Sequence, residues 1–307
     1  MSYGSGKYTY ELVDEWAKLP KGWSFLDAAG VAVDSSDRVY ILNRGGHPVM
    51  VFDREGSLLT SWGEGYFKRA HEATFGPDGS VWCADDGSHT VTKFTREGKV
   101  LQVLGKRDQP SDTGYIQEQG LSSIKRAGSP FNRPTGVALS PSGEVYVSDG
   151  YGNARVHKFS PDGRLLLSWG EPGTGPGQFR LVHNVWLDGK QRLWVCDREN
   201  NRIQIFDTNG RFLNQWTDVL RPTDLFIDNE GSVYVSELSQ RVSIFTIDGK
   251  LLARWGSPEK DPWKALLVAP HSISVDSRGD VYIGEVAMTI GKIDRGAKVV
   301  RKFVRKS

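Results

Sequence analysis

The feature that most constrains this chain is a motif that recurs six times along it. Each copy has an apolar strand ending near Asp, a turn, a Val-Tyr-Val type strand, a polar loop, a strand ending in Phe and a last strand that usually ends in Trp-Gly. The copies span residues 30–63, 72–105, 136–170, 184–216, 224–256 and 272 to about 303. Their spacing of roughly 40 to 64 residues is typical of propeller blades rather than of helical solenoids.

The strands within each copy alternate apolar and polar residues, as in residues 155–159 and 202–206. Six four-stranded sheets placed radially bury their faces on one another and leave only short edges. The sequence therefore predicts an all-β fold, a six-bladed β-propeller that forms a single domain over residues 1–307. Asp-Gly and Pro-x-Gly turn signals favour the same class.

The last copy is irregular, because after a shortened third strand near residues 289–293 only residues 298–303 remain to complete it. The N-terminal residues 8–16 resemble the outer strands that end in Trp elsewhere. We expect this N-terminal strand to pair with the last blade, as its outer strand or beside residues 298–303. Closure of the ring in this way removes two open sheet edges.

Two segments depart from the repeat. The first is a polar insertion at about residues 106–130, which is either a surface loop or a lid over one face, since long loops in compact domains are often functional. The second is residues 257–267, which contains Trp263 and could flank the same mouth.

Composition excludes several classes of function. The 39 basic and 37 acidic residues nearly cancel and form no long block of one sign, so we expect no nucleic acid and no membrane as partner. Cys83 and Cys196 show neither a disulfide nor a metal-thiolate spacing, and we expect both to be buried strand residues. The N-terminus lacks the apolar core of a signal peptide, which favours a cytoplasmic location.

Three of the six histidines occupy one phase of the repeat. Alignment of the copies on the Asp that ends the first strand places these residues at one position: Ala29, His71, Thr135, His183, Thr223 and His271. Alternate blades of a six-fold ring are about 120° apart, so His71, His183 and His271 would converge on the central channel. Three imidazoles with an open position are a ligand set that suits catalytic Zn²⁺. His89 and His157 lack this phase and are interpreted as surface residues.

Polar loops after the second strands also face the end of the channel. Arg44 and Arg198 are candidates to hold a substrate carboxylate through charge-assisted hydrogen bonds. Tyr151, if it lies near an arginine and a metal, is a candidate base with a lowered pKa.

At these residues the chain resembles a known family. The repeat is similar to NHL propellers. The loops at residues 149–155 and 197–204, with the three phased histidines, resemble peptidyl-α-hydroxyglycine α-amidating lyase (peptidylamidoglycolate lyase). The resemblance implies zinc held by His71, His183 and His271, and a carbon-nitrogen lyase that converts an N-acyl-α-hydroxyglycine to an amide and glyoxylate. It also implies Tyr151 as base and Arg44 and Arg198 as carboxylate ligands.

Two positions depart from the family pattern. Ser272 stands where an acidic residue commonly helps to bind a structural Ca²⁺, which would also use carbonyls near Val31 and Ala73, so the resemblance leaves calcium open. Ala269 stands where the family has a methionine of the pocket wall. The expected partner is a small-molecule or peptide-like carboxylate substrate. The alternatives are another zinc-dependent lyase or hydrolase acting on small carboxylates, and a non-catalytic NHL protein-binding scaffold.

Overall fold

The fold is the predicted six-bladed β-propeller, built from six sheets of four or five strands. The computed structural model describes residues 1–306. We number the sheets as blades 1 to 6 in the order in which the six repeat copies occur along the chain. The chain divides into two compact units, one formed by Met1–Glu64 with Thr223–Ser307 and the other by Gly65–Pro222. We call them the terminal unit and the central unit.

The central unit holds blades 2, 3 and 4, each a four-stranded antiparallel sheet in chain order. The strands of blade 2 are Ala70–Phe75, Val81–Asp85, Thr90–Phe94 and Val100–Leu104. Those of blade 3 are Pro134–Leu139, Val145–Asp149, Arg155–Phe159 and Leu165–Trp169. Those of blade 4 are Val182–Leu187, Arg192–Asp197, Arg202–Asp207 and Phe212–Trp216. Short strands Glu171–Pro172 and Gln178–Phe179 pair between blades 3 and 4.

The terminal unit holds blades 1, 5 and 6. The strands of blade 1 are Ala28–Val33, Val39–Asn43, Val49–Phe52 and Leu58–Trp62. Those of blade 5 are Pro222–Ile227, Ser232–Glu237, Arg241–Thr246 and Leu251–Trp255. Those of blade 6 are Pro270–Val275, Val281–Glu285, Val300–Arg305, Tyr8–Val13 and Ser2–Ser5.

Blade 6 joins the two ends of the chain, as the sequence predicts. Tyr8–Val13 pairs antiparallel with Val300–Arg305, with Val13 opposite Lys302. The third strand of the blade is therefore Val300–Arg305, and the prediction of a strand near residues 289–293 is wrong. Ala287–Gly291 is a short α-helix. The carboxylate of Asp27, from the segment before blade 1, accepts hydrogen bonds from the main-chain N–H groups of Met288 and Thr289 and so satisfies the first turn.

In four blades an Asp directly after the first strand fixes the turn that follows. In blade 4 one carboxylate oxygen of Asp188 accepts the main-chain N–H groups of Lys190 and Arg192, at 2.9 Å each. This is the Asx-turn chemistry that makes Asp a turn residue. Asp34, Asp228 and Asp276 make the same pair of bonds two and four residues on.

The core consists of the apolar layers between adjacent blades. Between blades 3 and 4, Tyr146, Val156, Phe179, Val185 and Phe206 pack in one cluster, all buried. Cys83 and Cys196 are fully buried in second strands, as expected. Among residues 1–306, no helix has both the length and the apolar character needed to span a bilayer.

The insertion has little regular structure. It holds a 3₁₀ turn at Leu121–Ser123 and an isolated bridge between Ile116 and Gly120. Thr113 in this segment donates a hydrogen bond to the main-chain oxygen of Gly152, so the insertion lies against the loop that carries Tyr151. Trp263 in the second irregular segment is 72% exposed.

Candidate active site

His71, His183 and His271 are each the second residue of the first strand in blades 2, 4 and 6. In all three strands the pairing register shifts at that residue, so each histidine is the extra residue of a β-bulge. A bulge bends the strand and re-aims the side chain of its unpaired residue. The common phase of the histidines in sequence thus corresponds to a common backbone device.

An acidic side chain at the end of the second strand holds the segment that leads into each histidine. In blade 2 the carboxylate of Asp85 accepts the main-chain N–H groups of Lys68 and Arg69, at 2.9 and 2.8 Å. Charge-assisted bonds of this kind are roughly twice as strong as neutral ones. The equivalent bonds run from Arg180 and Leu181 to Asp197 in blade 4, and from Val268 and Ala269 to Glu285 in blade 6.

The ring orientation of two histidines is set by main-chain carbonyls. Nδ1 of His71 lies 2.6 Å from the carbonyl oxygen of Thr135, and Nδ1 of His271 lies 2.7 Å from that of Ala29. A carbonyl oxygen only accepts, so Nδ1 carries the proton in both rings. The Nε2 atom of each neutral ring then holds the lone pair, which is the form of histidine that binds metals.

Tyr151 lies between two of the histidines in the central unit. Its hydroxyl oxygen is 3.2 Å from Nε2 of His71 and 3.2 Å from Nε2 of His183. The two imidazole rings are themselves 4.9 Å apart, measured between centroids. Nη1 of Arg198 lies 3.4 Å from the same hydroxyl. Within the central unit, the structure therefore brings together four of the six residues that the sequence selects for the site.

Two glycines place Tyr151 at this point. A Cβ atom on Gly150 would lie 2.0 Å from the main-chain oxygen of Val182, directly before His183. A Cβ on Gly152 would lie 2.0 Å from the side-chain oxygen of Asn132. The loop can pack this closely against both neighbours only because neither residue has a side chain.

Arg198 begins a 3₁₀ turn, Arg198–Asn200, directly after the second strand of blade 4. Its Nε donates to Glu199 at 2.8 Å, and Arg221 donates to the same carboxylate oxygen at 2.8 Å. Burial raises the pKa of Glu199, but the two guanidinium groups outweigh burial and hold that pKa below its ordinary value. Glu199 thus binds Nε of Arg198, and Nη1 of the same guanidinium group points toward Tyr151.

Arg44 belongs to the terminal unit, after the second strand of blade 1. Its Nη1 lies 3.1 Å from Oγ1 of Thr289 and 3.7 Å from a carboxylate oxygen of Asp27. Its side chain is buried. The helix Ala287–Gly291, which the sequence reading took for a strand, therefore supplies a contact to one of the predicted site residues.

Two further arginines contact Tyr151, and the sequence reasoning missed both. The guanidinium carbons of Arg69 and Arg133 lie 5.6 and 5.2 Å from the centroid of its ring, and that of Arg198 lies at 5.6 Å. Three cations around one aromatic ring indicate an environment suited to negative charge. A signal was present in the sequence, because Arg69 and Arg133 both stand two residues before the histidine phase of their blades.

The interpretation of His157 as a surface residue is wrong. Its side chain is fully buried on the third strand of blade 3, with Nδ1 2.7 Å from Oγ of Ser168 and Nε2 3.3 Å from Asp149. Neighbouring blades cover both faces of a blade, so alternation along a strand does not predict exposure here. His89 is half-buried, and its Nδ1 accepts the main-chain N–H of Arg133 at 3.1 Å.

The donor set fits a metal ion. His71, His183 and His271 form a buried group of three histidines that could hold one, each offering one ring nitrogen. Neutral imidazole suits Zn²⁺ and neighbouring transition metals better than Ca²⁺, which prefers oxygen ligands. Ser272 follows His271, and its hydroxyl donates to Asp224 at 3.1 Å while it accepts the N–H of Val31 at 2.8 Å.

The sequence and the fold of this chain are similar to those of several known proteins. The NHL repeat family matches residues 131–159. The chain is similar to human NHL repeat-containing protein 3, at 32% identity over 99% of this chain and 86% of that protein. It is 33% identical to peptidyl-alpha-hydroxyglycine alpha-amidating lyase 1 of Drosophila melanogaster, over 56% of this chain and 31% of that protein. A solved streptogramin B lyase superposes with a TM-score of 0.60 at 15% identity, over 99% of this chain and 90% of that one.

Proposed function

The chain belongs to the family of NHL repeat-containing proteins, and from this premise we propose that it is a zinc-dependent carbon-nitrogen lyase. The substrate class is an N-acyl-α-hydroxyglycine, and the products are a primary amide and glyoxylate. The relative from Drosophila melanogaster, named as an amidating lyase, supports this reaction class. The observation that carries the proposal is the Tyr151 hydroxyl, 3.2 Å from Nε2 of both His71 and His183.

His71, His183 and His271 are the residues that would hold the metal. When bound, zinc acts as a Lewis acid that lowers the pKa of a substrate hydroxyl and stabilises developing negative charge. The Nδ1 bonds of His71 and His271 to main-chain carbonyls fix the tautomer and the ring orientation in advance. Main-chain oxygens therefore orient these two rings for metal binding.

Tyr151 is the proposed base. In this role its deprotonated oxygen takes the proton of the substrate α-hydroxyl as the carbonyl of glyoxylate forms and the carbon-nitrogen bond breaks. The proton then passes from the tyrosine to the leaving amide nitrogen, so the α-hydroxyl proton ends on the primary amide and the base is regenerated. Arg198, held by Glu199 at 2.8 Å, places its guanidinium group 3.4 Å from the tyrosine oxygen.

The arginines are the proposed carboxylate ligands. Arg198 contributes from the central unit, and Arg44 from the terminal unit through its fixed position on Thr289 and Asp27. Paired guanidinium contacts orient the carboxylate and so supply part of the positioning that makes the reaction effectively unimolecular. No redox step occurs, and no nicotinamide or flavin is part of the proposal.

Metal analysis and product analysis together test this function. Purified protein is assayed for zinc content and for glyoxylate release from an N-acyl-α-hydroxyglycine, with His183→Ala as the site variant. His47→Ala is the matched control, because His47 lies outside the histidine phase and pairs with Glu64 at a partly exposed position. We expect about one zinc per chain in wild type and control, with glyoxylate released by both, and loss of zinc and activity in His183→Ala.

Other outcomes separate the alternatives. If the protein binds zinc but releases no glyoxylate, the metal site stands and the substrate is another small carboxylate. If no transition metal binds even when zinc is supplied, the catalytic proposal is wrong and the protein-binding scaffold stands in its place. The cytoplasmic location and the small carboxylate partner stay predictions from the sequence.

A further inference from the structure

Arg69 and Arg133 form a second cationic site beside Tyr151, and Asp86 organises it. One carboxylate oxygen of Asp86 accepts Nη1 of Arg69 at 2.6 Å, Nη2 of Arg133 at 2.7 Å and Nε of Arg133 at 3.1 Å. The Asp86 side chain is fully buried, whereas those of Arg69 and Arg133 are 28% and 18% exposed. The carboxylate therefore lies behind the two guanidinium groups, which reach solvent in front of it.

The two arginines of the site are held in their charged form. Burial opposes the charge on Arg69 and Arg133, but the Asp86 carboxylate outweighs burial and raises the pKa of both guanidinium groups. The two guanidinium groups share one carboxylate, Asp86, as their hydrogen-bonded counter-charge. His89 adds no positive charge, because burial lowers its pKa and its Nδ1 accepts a hydrogen bond.

A cavity of about 550 Å³ opens on these arginines. Its wall includes Pro110, Tyr115 and Gln117 from the insertion, which is a second contribution of that segment to the site. The Tyr115 hydroxyl accepts Nη1 of Arg133 at 3.1 Å and fixes the plane of its guanidinium. Lys68 lines the same cavity but pairs with Asp108 at 2.7 Å, where both side chains are about half exposed.

The backbone under Arg69 depends on a glycine. A Cβ on Gly87 would lie 2.9 Å from the main-chain nitrogen and the Cβ of Arg69, and 2.9 Å from the Cβ of Lys68. Gly87 directly follows Asp86, so the same turn supplies both the carboxylate and the close approach. The arrangement is built into the loops of blades 2 and 3.

We propose that Arg69 and Arg133 are specificity-determining residues that bind a second carboxylate, carried on the acyl group of the substrate. This inference rests on the proposed lyase function and deepens it: the preferred substrates are N-acyl-α-hydroxyglycines whose acyl chain ends in a carboxylate. Two planar guanidinium groups that share one carboxylate and reach solvent suit a second carboxylate as ligand. Contact of both arginines with the Tyr151 ring places this cavity next to the proposed base.

The test compares N-glutaryl-α-hydroxyglycine with the methyl ester of its glutaryl carboxylate, which removes only the second charge. In wild type we expect a KM for the free acid at least about 10-fold below that for the ester, because charged hydrogen bonds to a partly buried site are lost in the ester. Arg133→Met should raise the KM of the acid to that of the ester, and any change in kcat should be the same for both substrates, since the two share their reacting atoms.

Three further variants test whether the effect is specific to the two arginines. Arg211→Met is the matched control, because Arg211 is an exposed arginine in the same unit that pairs with Asp207 by a similar Nε contact. It should leave both KM values unchanged. Arg69→Met should reproduce part of the effect, and Arg133→Lys should restore part of the preference for the acid. Thermal unfolding of each variant identifies any that fail to fold.

Equal KM values for acid and ester in wild type would overturn the inference. An equal rise of both KM values in Arg133→Met would also overturn it, because the arginine would then act on the hydroxyglycine portion or on the fold. If wild type releases glyoxylate from neither substrate, the lyase proposal fails. Calorimetry with glutarate alone then tests whether the cavity binds a carboxylate. Glutarate binding that weakens at least about 10-fold in Arg133→Met supports the carboxylate site, and unchanged or absent binding refutes it.

Discussion

Within each unit, the residues packed near His71 and His183 differ from those packed near His271. In the central unit, the Tyr151 hydroxyl lies against the first two rings, and three arginines lie over the ring of Tyr151. In the terminal unit, the strand that carries His271 follows Val268 and Ala269, which pack with Ala29, Leu238, Ala265, Val286, Ala287 and Ile293 in a small apolar cluster. All three histidines nevertheless use the same β-bulge, and His71 and His271 use the same Nδ1 bond to a carbonyl.

The residues proposed to bind the metal and the residues proposed to act on the substrate therefore have different structural origins. The repeat supplies the three rings by one backbone device in three blades, whereas the reactive groups come from loops that differ between blades. Changes in the central unit should therefore alter rate and substrate binding. Changes around His271 should alter packing and leave the chemistry of the bound substrate largely intact.

The largest effect is expected from Tyr151→Phe. Loss of the hydroxyl removes the proposed base, and general base catalysis typically contributes about 10²- to 10⁴-fold, so kcat for glyoxylate release should fall by that factor. Zinc content should stay as in wild type, because the three histidines remain. Tyr66→Phe removes another partly buried hydroxyl of the central unit, bonded to Thr92 at 3.0 Å, and should leave kcat unchanged. A variant that loses zinc would show that Tyr151 acts through metal binding.

Arg198→Met should mainly weaken substrate binding. It removes a carboxylate ligand and the cation 3.4 Å from Tyr151, and we expect KM to rise about 10- to 100-fold, as for loss of charged hydrogen bonds. Steady-state kinetics of glyoxylate release measure KM. An unchanged KM would remove Arg198 from the site.

Gly150→Ala tests the loop of the central unit through stability. The new Cβ would meet the carbonyl oxygen of Val182 at 2.0 Å, so main chain on one side must move. We expect the free energy of unfolding to fall by about 1–3 kcal/mol, the usual cost of overpacking, in denaturant titration. Gly189→Ala is the control, because a Cβ there meets nothing within 4 Å. Equal stability of the two variants would contradict the close packing described here.

Thr289→Val should give the smallest effect and sharpen the contrast with the terminal unit. It removes the hydroxyl that donates to Asp27 and accepts from Nη1 of Arg44, at the cost of about 1 kcal/mol in the free energy of unfolding. We expect KM to rise by no more than about two- to three-fold, because Asp27 still faces Arg44. A large fall in kcat would show that the terminal unit contributes to the chemistry as well as to positioning.

Much of the fold could be predicted because each signal is local. Period-2 alternation and, in four copies, the Asp that ends the first strand identify the blades, and the position of the histidines within the repeat follows from counting residues. The misjudged residues depend on distant partners. Ala287–Gly291 is helical because Asp27, about 260 positions earlier in the chain, accepts the N–H groups of its first turn. His157 is buried because Phe131 and Ser168 cover it.

The sequence by itself determined the six blades, the closure by both termini and the three histidines in one phase, since all of these follow from a repeated local pattern. Only the tertiary structure decided that Tyr151 lies between two imidazoles and that Arg69 and Arg133 share Asp86. The reason is geometric: loops that are about 20 to 80 residues apart meet where neighbouring blades present the same ends. Periodicity fixes which strands pair, whereas contacts between loops depend on the packing of the blades that carry them.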